Sequence, residues 1–341
     1  MPEPSPTPAR RGRLLRFGAA VAVLFALAGY LAVQYLTGGA GAPRCRVVSG
    51  KDDDASYEFT PEQAVNAATI SAVGTSRRLP ERAVAIALAT SLQESGLRNI
   101  RHGDRDSLGL FQQRPSQGWG TKKQIMDPTY AAGVFYEHLA KVPDYARLPL
   151  TVAAQRVQRS GYPQAYAKHE PDATLLAAAL TGRAAATLTC EGRVAPTPAG
   201  GPDSVRAALV RDFGHDVLQE AGADVSAQDA SSAPDGTSSS SPSAASGPAR
   251  ASSSPPSAVS ARTVTVPVSP RKDAATGTDV RGWELAHWAV ANSSALHIER
   301  VSYAGQEWTA GRREGQWVRS GAQGAPAADE DATEVRIVTA Q

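Results

Sequence analysis

Ala87-Leu88-Ala89-Thr90-Ser91-Leu92-Gln93-Glu94-Ser95-Gly96-Leu97 reads as the end of a helix that Pro80-Glu81 opens and that stops near Gly96. The turns before it, from Ala83 to Ala89, are apolar on nearly every side. That pattern predicts a helix buried all round, the central element of a helical domain. Glu94 then lies in its last turn. Burial and the negative end of the helix dipole both disfavour a carboxylate there, so the pKa is expected to rise. A carboxyl still protonated near neutral pH is the kind of general acid that glycosidic-bond cleavage requires. The competing reading is an ordinary solvent-facing glutamate at a helix end.

Outward from Glu94, a glycine- and glutamine-rich loop runs from Asn99 to Thr121 and contains Gly103-Asp104-Arg105-Asp106-Ser107-Leu108-Gly109-Leu110-Phe111-Gln112-Gln113. Gly109 lets a sugar chain approach the backbone. The amides of Gln112 and Gln113 match N-acetyl and hydroxyl groups. Trp119 and Tyr162 offer flat apolar faces for sugar rings, with a core role equally open to each. Further helices surround the loop. Thr60-Pro61-Glu62-Gln63 carries an N-cap, a proline at the first helical position and a capping-box glutamine. Asp127-Pro128 and Thr151 start two more, and a last helix runs from about Asp172 to Gly182. The pattern is helical throughout from Thr60 to Gly182.

Glu94-Ser95 followed by Gly109-Leu110-Phe111-Gln112 resembles the paired signatures of soluble lytic transglycosylases and goose-type lysozymes. Gly103-Asp104-Arg105 is similar to the goose-type pattern in particular. The resemblance spans about 130 residues, Thr60 to Cys190. It implies a lysozyme-like helical fold and peptidoglycan glycan strands as substrate. It also implies Glu94 as the acid that protonates the bond between N-acetylmuramic acid and N-acetylglucosamine, with Ser95 beside it. In the lytic branch the same residue then acts as base and the sugar's own hydroxyl closes an anhydro ring. Two departures stand out. Where the family carries Ala-Tyr-Asn-Ala-Gly, this chain has Ala153-Ala154-Gln155-Arg156-Val157-Gln158. Gln155 thus replaces a tyrosine expected near the acid, a role open to Tyr162 or Tyr166. Arg114 stands where the goose-type pattern has an aspartate, which leaves Asp104 as the candidate second carboxylate, or as a loop cap with Arg105. The lytic, non-hydrolytic outcome is favoured, and the alternative is a catalytically inactive lysozyme-like protein that binds or scaffolds the wall.

The whole chain has 341 residues, 20% charged and 42% hydrophobic, with a net charge of +2. Such a balance argues against nucleic-acid binding, which favours a strong basic excess, and against wholesale disorder. At roughly 150 residues per domain the length suggests about two units. Residues 1–16 hold Arg10, Arg11, Arg13 and Arg16 against Glu3, a charge of +3 that leaves −1 for the remainder. This basic tail precedes an uncharged run, Phe17 to Leu36, long enough to span a bilayer with the N-terminus inside. Ala40-Gly41-Ala42 keeps open a cleaved secretion signal instead. Pro43 and Arg44 before Cys45 make a lipoprotein anchor poor, and no second long apolar run exists for a multi-span transporter. Either way the body is expected outside the cytoplasm. Cys45 and Cys190, the only cysteines, are then expected to form a disulfide. Closing so long a loop is worth roughly 4–5 kcal/mol in the chain-entropy model.

The expected fold class is therefore mainly α: one transmembrane helix, a lysozyme-like domain over 45–190, an amphipathic helix over 203–223, a disordered Ser/Pro/Ala linker over 226–280 and a small α+β module over 281–341. The linker carries no apolar periodicity. In the last module a helix with Trp283 and Trp288 precedes strand-like runs at Ile298–Tyr303, Glu307–Thr309, Gln316–Val318 and Thr333–Thr339. It weakly resembles a zinc-peptidase-like module of actinobacterial cell-wall proteins, but no histidine follows His297, so the resemblance implies a lost metal site and a docking role. The six histidines show no paired ligand spacing and read as surface or packing residues, and no metal or other cofactor is expected.

Overall fold

The computed structural model describes residues 44–51, 53–162, 164–191, 200–218, 262–268, 279–311, 316–319 and 333–340. The basic tail, the apolar run at 17–36, the cleavage site near Ala42 and most of the Ser/Pro/Ala segment lie outside the described residues. Among the described residues no helix is long and apolar enough to cross a membrane.

The fold is a mixed α+β arrangement of helices with two antiparallel sheets. In chain order the helices are α1 (Pro61–Ser76), α2 (Glu81–Ser95), α3 (Lys122–Ile125), α4 (Pro128–Ala140), α5 (Leu150–Gln158), α6 (Glu170–Leu180), α7 (Gly201–Phe213), α8 (Val280–Ala291) and α9 (Ser293–Leu296). The first sheet has the order β2 (Ser56–Phe59), β1 (Cys45–Val48), β3 (Leu188–Cys190). The second has the order β4 (Thr263–Pro267), β8 (Glu334–Thr339), β5 (Ile298–Tyr303), β6 (Gln306–Thr309), β7 (Val318–Arg319).

The expected helix starts are present. Thr60 and Gln63 form a full capping box on α1, and the Asp127 side chain accepts from the N–H groups of Thr129 and Tyr130 at the head of α4. Every residue from Ala83 to Leu92 of α2 is buried, as its sequence predicts for a central helix. It ends at Gly96, whose left-handed backbone lets its N–H close onto Leu92 and Ser91.

Three features differ from expectation. The first sheet was not anticipated, because its strands are three or four residues long and β3 is remote in sequence from the other two. A short run of alternating side chains carries little signal until a partner strand is found. Cys45 and Cys190 face each other in the β1–β3 register and are joined as a disulfide. Secondly, β4 comes from within the segment read as linker. Thr263-Val264-Thr265-Val266 buries its two valines and pairs with β8, so a strand sits where serine and proline dominate the surroundings. Thirdly, a 3-10 turn at Pro115–Gln117 interrupts the glycine-rich loop, and the short helix α3 follows directly on its last residue, Thr121.

The described parts of the blocks at 45–190, 203–223 and 281–341 belong to one compact unit, and their buried apolar residues form one continuous cluster. Helix α8 is the hub: it packs on α1, α6, β3 and β5. Gly182, at φ +75°, touches its N-terminus so closely that a Cβ would collide with the Val280 carbonyl. His287 on α8 is fully buried. Its Nδ1 lies 2.7 Å from the Ala179 carbonyl, and Nε2 accepts from the Thr187 N–H at 3.2 Å. These partners demand a neutral ring with the proton on Nδ1.

Burial pushes the His287 pKa down to about 4, the hydrogen bond to Ala179 opposing. Between that value and an unfolded value of ~6.5, the unfolded chain binds a proton that the folded chain refuses. Stability contributed by the neutral ring is therefore full above ~6.5 and is lost as pH falls towards 4, about 3 kcal/mol in all. Urea unfolding at pH 7 and pH 4.5 should show this loss in the wild type and little of it in His287→Gln. Parallel curves for the two proteins would refute it.

Candidate active site

Glu94 is half-buried in the last turn of α2. Tyr166, which is itself fully buried, donates its hydroxyl to Glu94 Oε1 at 2.8 Å. Burial raises the carboxyl pKa above its ordinary value; the hydrogen bonds from Tyr166 and Gln158 favour the charged form and only partly offset that. The Tyr166 phenol is held protonated by its own burial and by the adjacent Glu94 charge, so it remains a donor. Of the two tyrosines expected as stand-ins for the missing one, Tyr166 holds the acid and Tyr162 is 81% exposed.

The loop is pinned to the end of α2. Ser95 Oγ donates to the Leu110 carbonyl at 2.8 Å, and Ser91 Oγ donates to the same oxygen at 3.1 Å. Leu108 and Gln113 bridge in antiparallel fashion around Gly109. Gly109, at φ +74°, is buried, and a Cβ there would press on the Ile125 carbonyl at 2.7 Å. The space beside that glycine is thus occupied by α3. Gln113 is also turned inwards, with Nε2 donating to the Ala131 carbonyl at 3.0 Å. Gln112 is half-buried, in a left-handed backbone conformation at φ +48°, and folds over Gly103, where a Cβ would collide with its Oε1.

Trp119 is nearly buried, stacked on His138 with ring centroids 4.2 Å apart. Gln155 is bound to Ser160 at both ends of its amide, with Nε2 donating to the Ser160 carbonyl at 2.7 Å and Oε1 accepting from Oγ at 2.9 Å. It thereby shapes the turn that carries the chain from α5 towards Tyr166. Gln158, one turn along α5, was not singled out in sequence. It lies against Glu94 while donating to the Phe111 carbonyl at 2.8 Å. Its place in the motif at Ala153–Gln158 was the available signal.

The other carboxylates are differently placed. The Asp104 side chain is 93% exposed, with Arg105 Nε 3.9 Å away. Asp106 accepts from Arg114 Nε at 2.7 Å and from the Ser116 N–H at 2.9 Å, and the Arg114 hydrogen bond holds it well below the usual carboxylate range. Arg114 is therefore neutralised within the loop. Among the described residues no group of three or more His, Cys, Asp or Glu side chains is placed to hold a metal. The chain matches no family model and no curated protein.

Replacing Tyr166 by Phe should raise the Glu94 pKa further, because a bond that favours the carboxylate is removed. The alkaline limb of any Glu94-dependent pH–rate profile should then move to higher pH, with a lower maximum. An unmoved limb would show that Tyr166 does not act on the acid.

Proposed function

We propose that this chain is a peptidoglycan-cleaving enzyme that cuts the bond between N-acetylmuramic acid and N-acetylglucosamine by the lytic, non-hydrolytic route. The observation that carries this reading is the Tyr166–Glu94 pair at the end of α2: burial makes the Glu94 carboxyl harder to ionise, and the Tyr166 hydroxyl fixes its direction. Glu94 donates its proton to the glycosidic oxygen as the carbon–oxygen bond breaks. Its carboxylate then takes the proton from the sugar's own hydroxyl, whose oxygen closes the anhydro ring, and the acid is restored. One carboxyl suffices for both steps.

A hydrolase would need a second carboxylate to activate water or trap the sugar. Asp104 points into solvent and Asp106 is engaged by Arg114, which favours the lytic route. The disulfide supports action in an oxidising compartment outside the cytoplasm, and the uncharged run at 17–36 supports a single membrane anchor there.

Mass spectrometry of sacculi digested with the protein tests the reading. Anhydro-ended fragments are expected. Reducing-ended fragments would replace the lytic route by hydrolysis, and an absence of fragments would leave a wall-binding protein.

A further inference from the structure

The cleavage reading does not use a cavity of about 580 Å³ whose lining includes Trp119, His138, Lys141, Arg156, Gln158 and Arg159. Three of these six side chains are permanent cations, and all three are exposed. None of the three has an ion-pair partner among the described residues, whereas Arg114 and Arg82 are paired with Asp106 and Glu170. Glu137, whose charge acts on His138, is itself engaged by Arg77 at 3.2 Å. The hollow therefore gathers positive charge that the fold leaves unanswered.

A further observation gives it direction. Gln158 belongs both to this lining and to the group that holds Glu94, so the cavity adjoins the acid. Arg159 closes α5 in the left-handed conformation at φ +52°, a position where glycine would fit without cost.

On the reading that the chain cleaves wall glycan, we propose that this cavity binds the carboxylates of the peptide stem attached to the muramic sugar beside the scissile bond. The sugars themselves are uncharged once the lactyl group is joined to peptide, so the stem is where the substrate carries its negative charge. A stem is covalently tied next to the bond being cut, which suits a hollow adjoining Glu94. Guanidinium groups recognise carboxylates through paired hydrogen bonds, and the Trp119–His138 stack gives the cavity a flat apolar wall. A phosphate-rich wall polymer would instead be gripped by charge spread along a surface.

The test uses the full chain carrying Glu94→Gln, so that no bond is cut during titration. Its probes are a wall tetrasaccharide with its peptide stems and the same compound with the stem carboxylates converted to amides. Calorimetry should show the acidic form bound about tenfold to a hundredfold more tightly. Arg156→Gln combined with Arg159→Gln should abolish that preference. Lys122→Gln combined with Lys123→Gln, in a second basic hollow lined also by Arg101, should leave it intact.

Equal binding of the two probes, or equal loss from both pairs of substitutions, would overturn the proposal. So would displacement of the acidic probe by soluble poly(glycerol phosphate) with no preference between acidic and amidated stems. Because binding is read without turnover, a protein that prefers acidic stems but releases no fragments would uphold the cavity and refute the cleavage. One that cuts wall glycan without that preference would do the reverse.

Discussion

Glu94→Gln is expected to lower the release of wall fragments by about 10²–10⁴-fold, the range typical of losing a positioned general acid. Glutamine keeps the size of the side chain and can still accept from the Tyr166 hydroxyl, so the surroundings of α2 should be undisturbed. Stability should move the opposite way. Burial raises the native pKa of Glu94, which means that the folded state penalises the carboxylate. The contribution of this group is most favourable at low pH, where both states are protonated, and is lost as pH rises through the native value. Glutamine carries no such penalty. At pH 7 the variant should therefore melt at or above the wild-type temperature, and the difference should vanish below the ordinary carboxyl range. An inactive but equally stable variant is the signature of a functional acid held at a cost to the fold. Undiminished fragment release by Glu94→Gln would end the cleavage reading.

The second large effect is expected far from the acid. Asp212, near the end of α7, has a fully buried side chain. Its Oδ2 accepts from Trp288 Nε1 of α8 at 2.8 Å and from Thr69 Oγ1 of α1 at 3.2 Å, and its Oδ1 accepts from Arg211 Nε at 2.8 Å. One carboxylate thus ties three helices from three separate stretches of sequence. Asp212→Leu would strip buried donors on Trp288 and Thr69 of their acceptor. The cost should be about 3–5 kcal/mol, as for removing one side of a buried charged network. At ~2–4 °C per kcal/mol for a unit of this size, the melting temperature should drop by roughly ten degrees. Asp212→Asn, which keeps one oxygen, should lose less. The effects of Asp212→Leu and Trp288→Phe should be non-additive, because each removes the bond between Trp288 Nε1 and Asp212 Oδ2. A change below about 1 kcal/mol for Asp212→Leu would show that the contact does not hold the unit together.

How much of this was legible in advance depended on the range of the interactions involved. The buried helix, its stop at Gly96, the capping box at Thr60–Gln63 and the strands at 298–303 and 334–339 follow from periodicity and end signals within about fifteen residues. The exposed or inward direction of individual side chains did not. Gln112 and Gln113 are adjacent and identical in chemistry, yet Gln113 is spent on the Ala131 carbonyl while Gln112 curls over Gly103. A strand inside a serine-rich stretch, Thr263–Pro267, was hidden because its partner lies some seventy residues downstream.

The sequence by itself determined that a carboxyl would stand at the end of an apolar helix ahead of a glycine-rich loop, and it offered Cys45 and Cys190 as the two partners of one disulfide. Composition also placed all the positive excess before Phe17–Leu36. Only the tertiary structure decided that Tyr166 rather than Tyr162 reaches Glu94, that Gln158 joins the acid to a cationic hollow, and that α8, β5, β6 and β8 share a core with the first helices. Helix periods and caps are written in neighbouring residues. The direction of a hydroxyl across seventy positions is set by how the helices close on one another, and that is decided by packing.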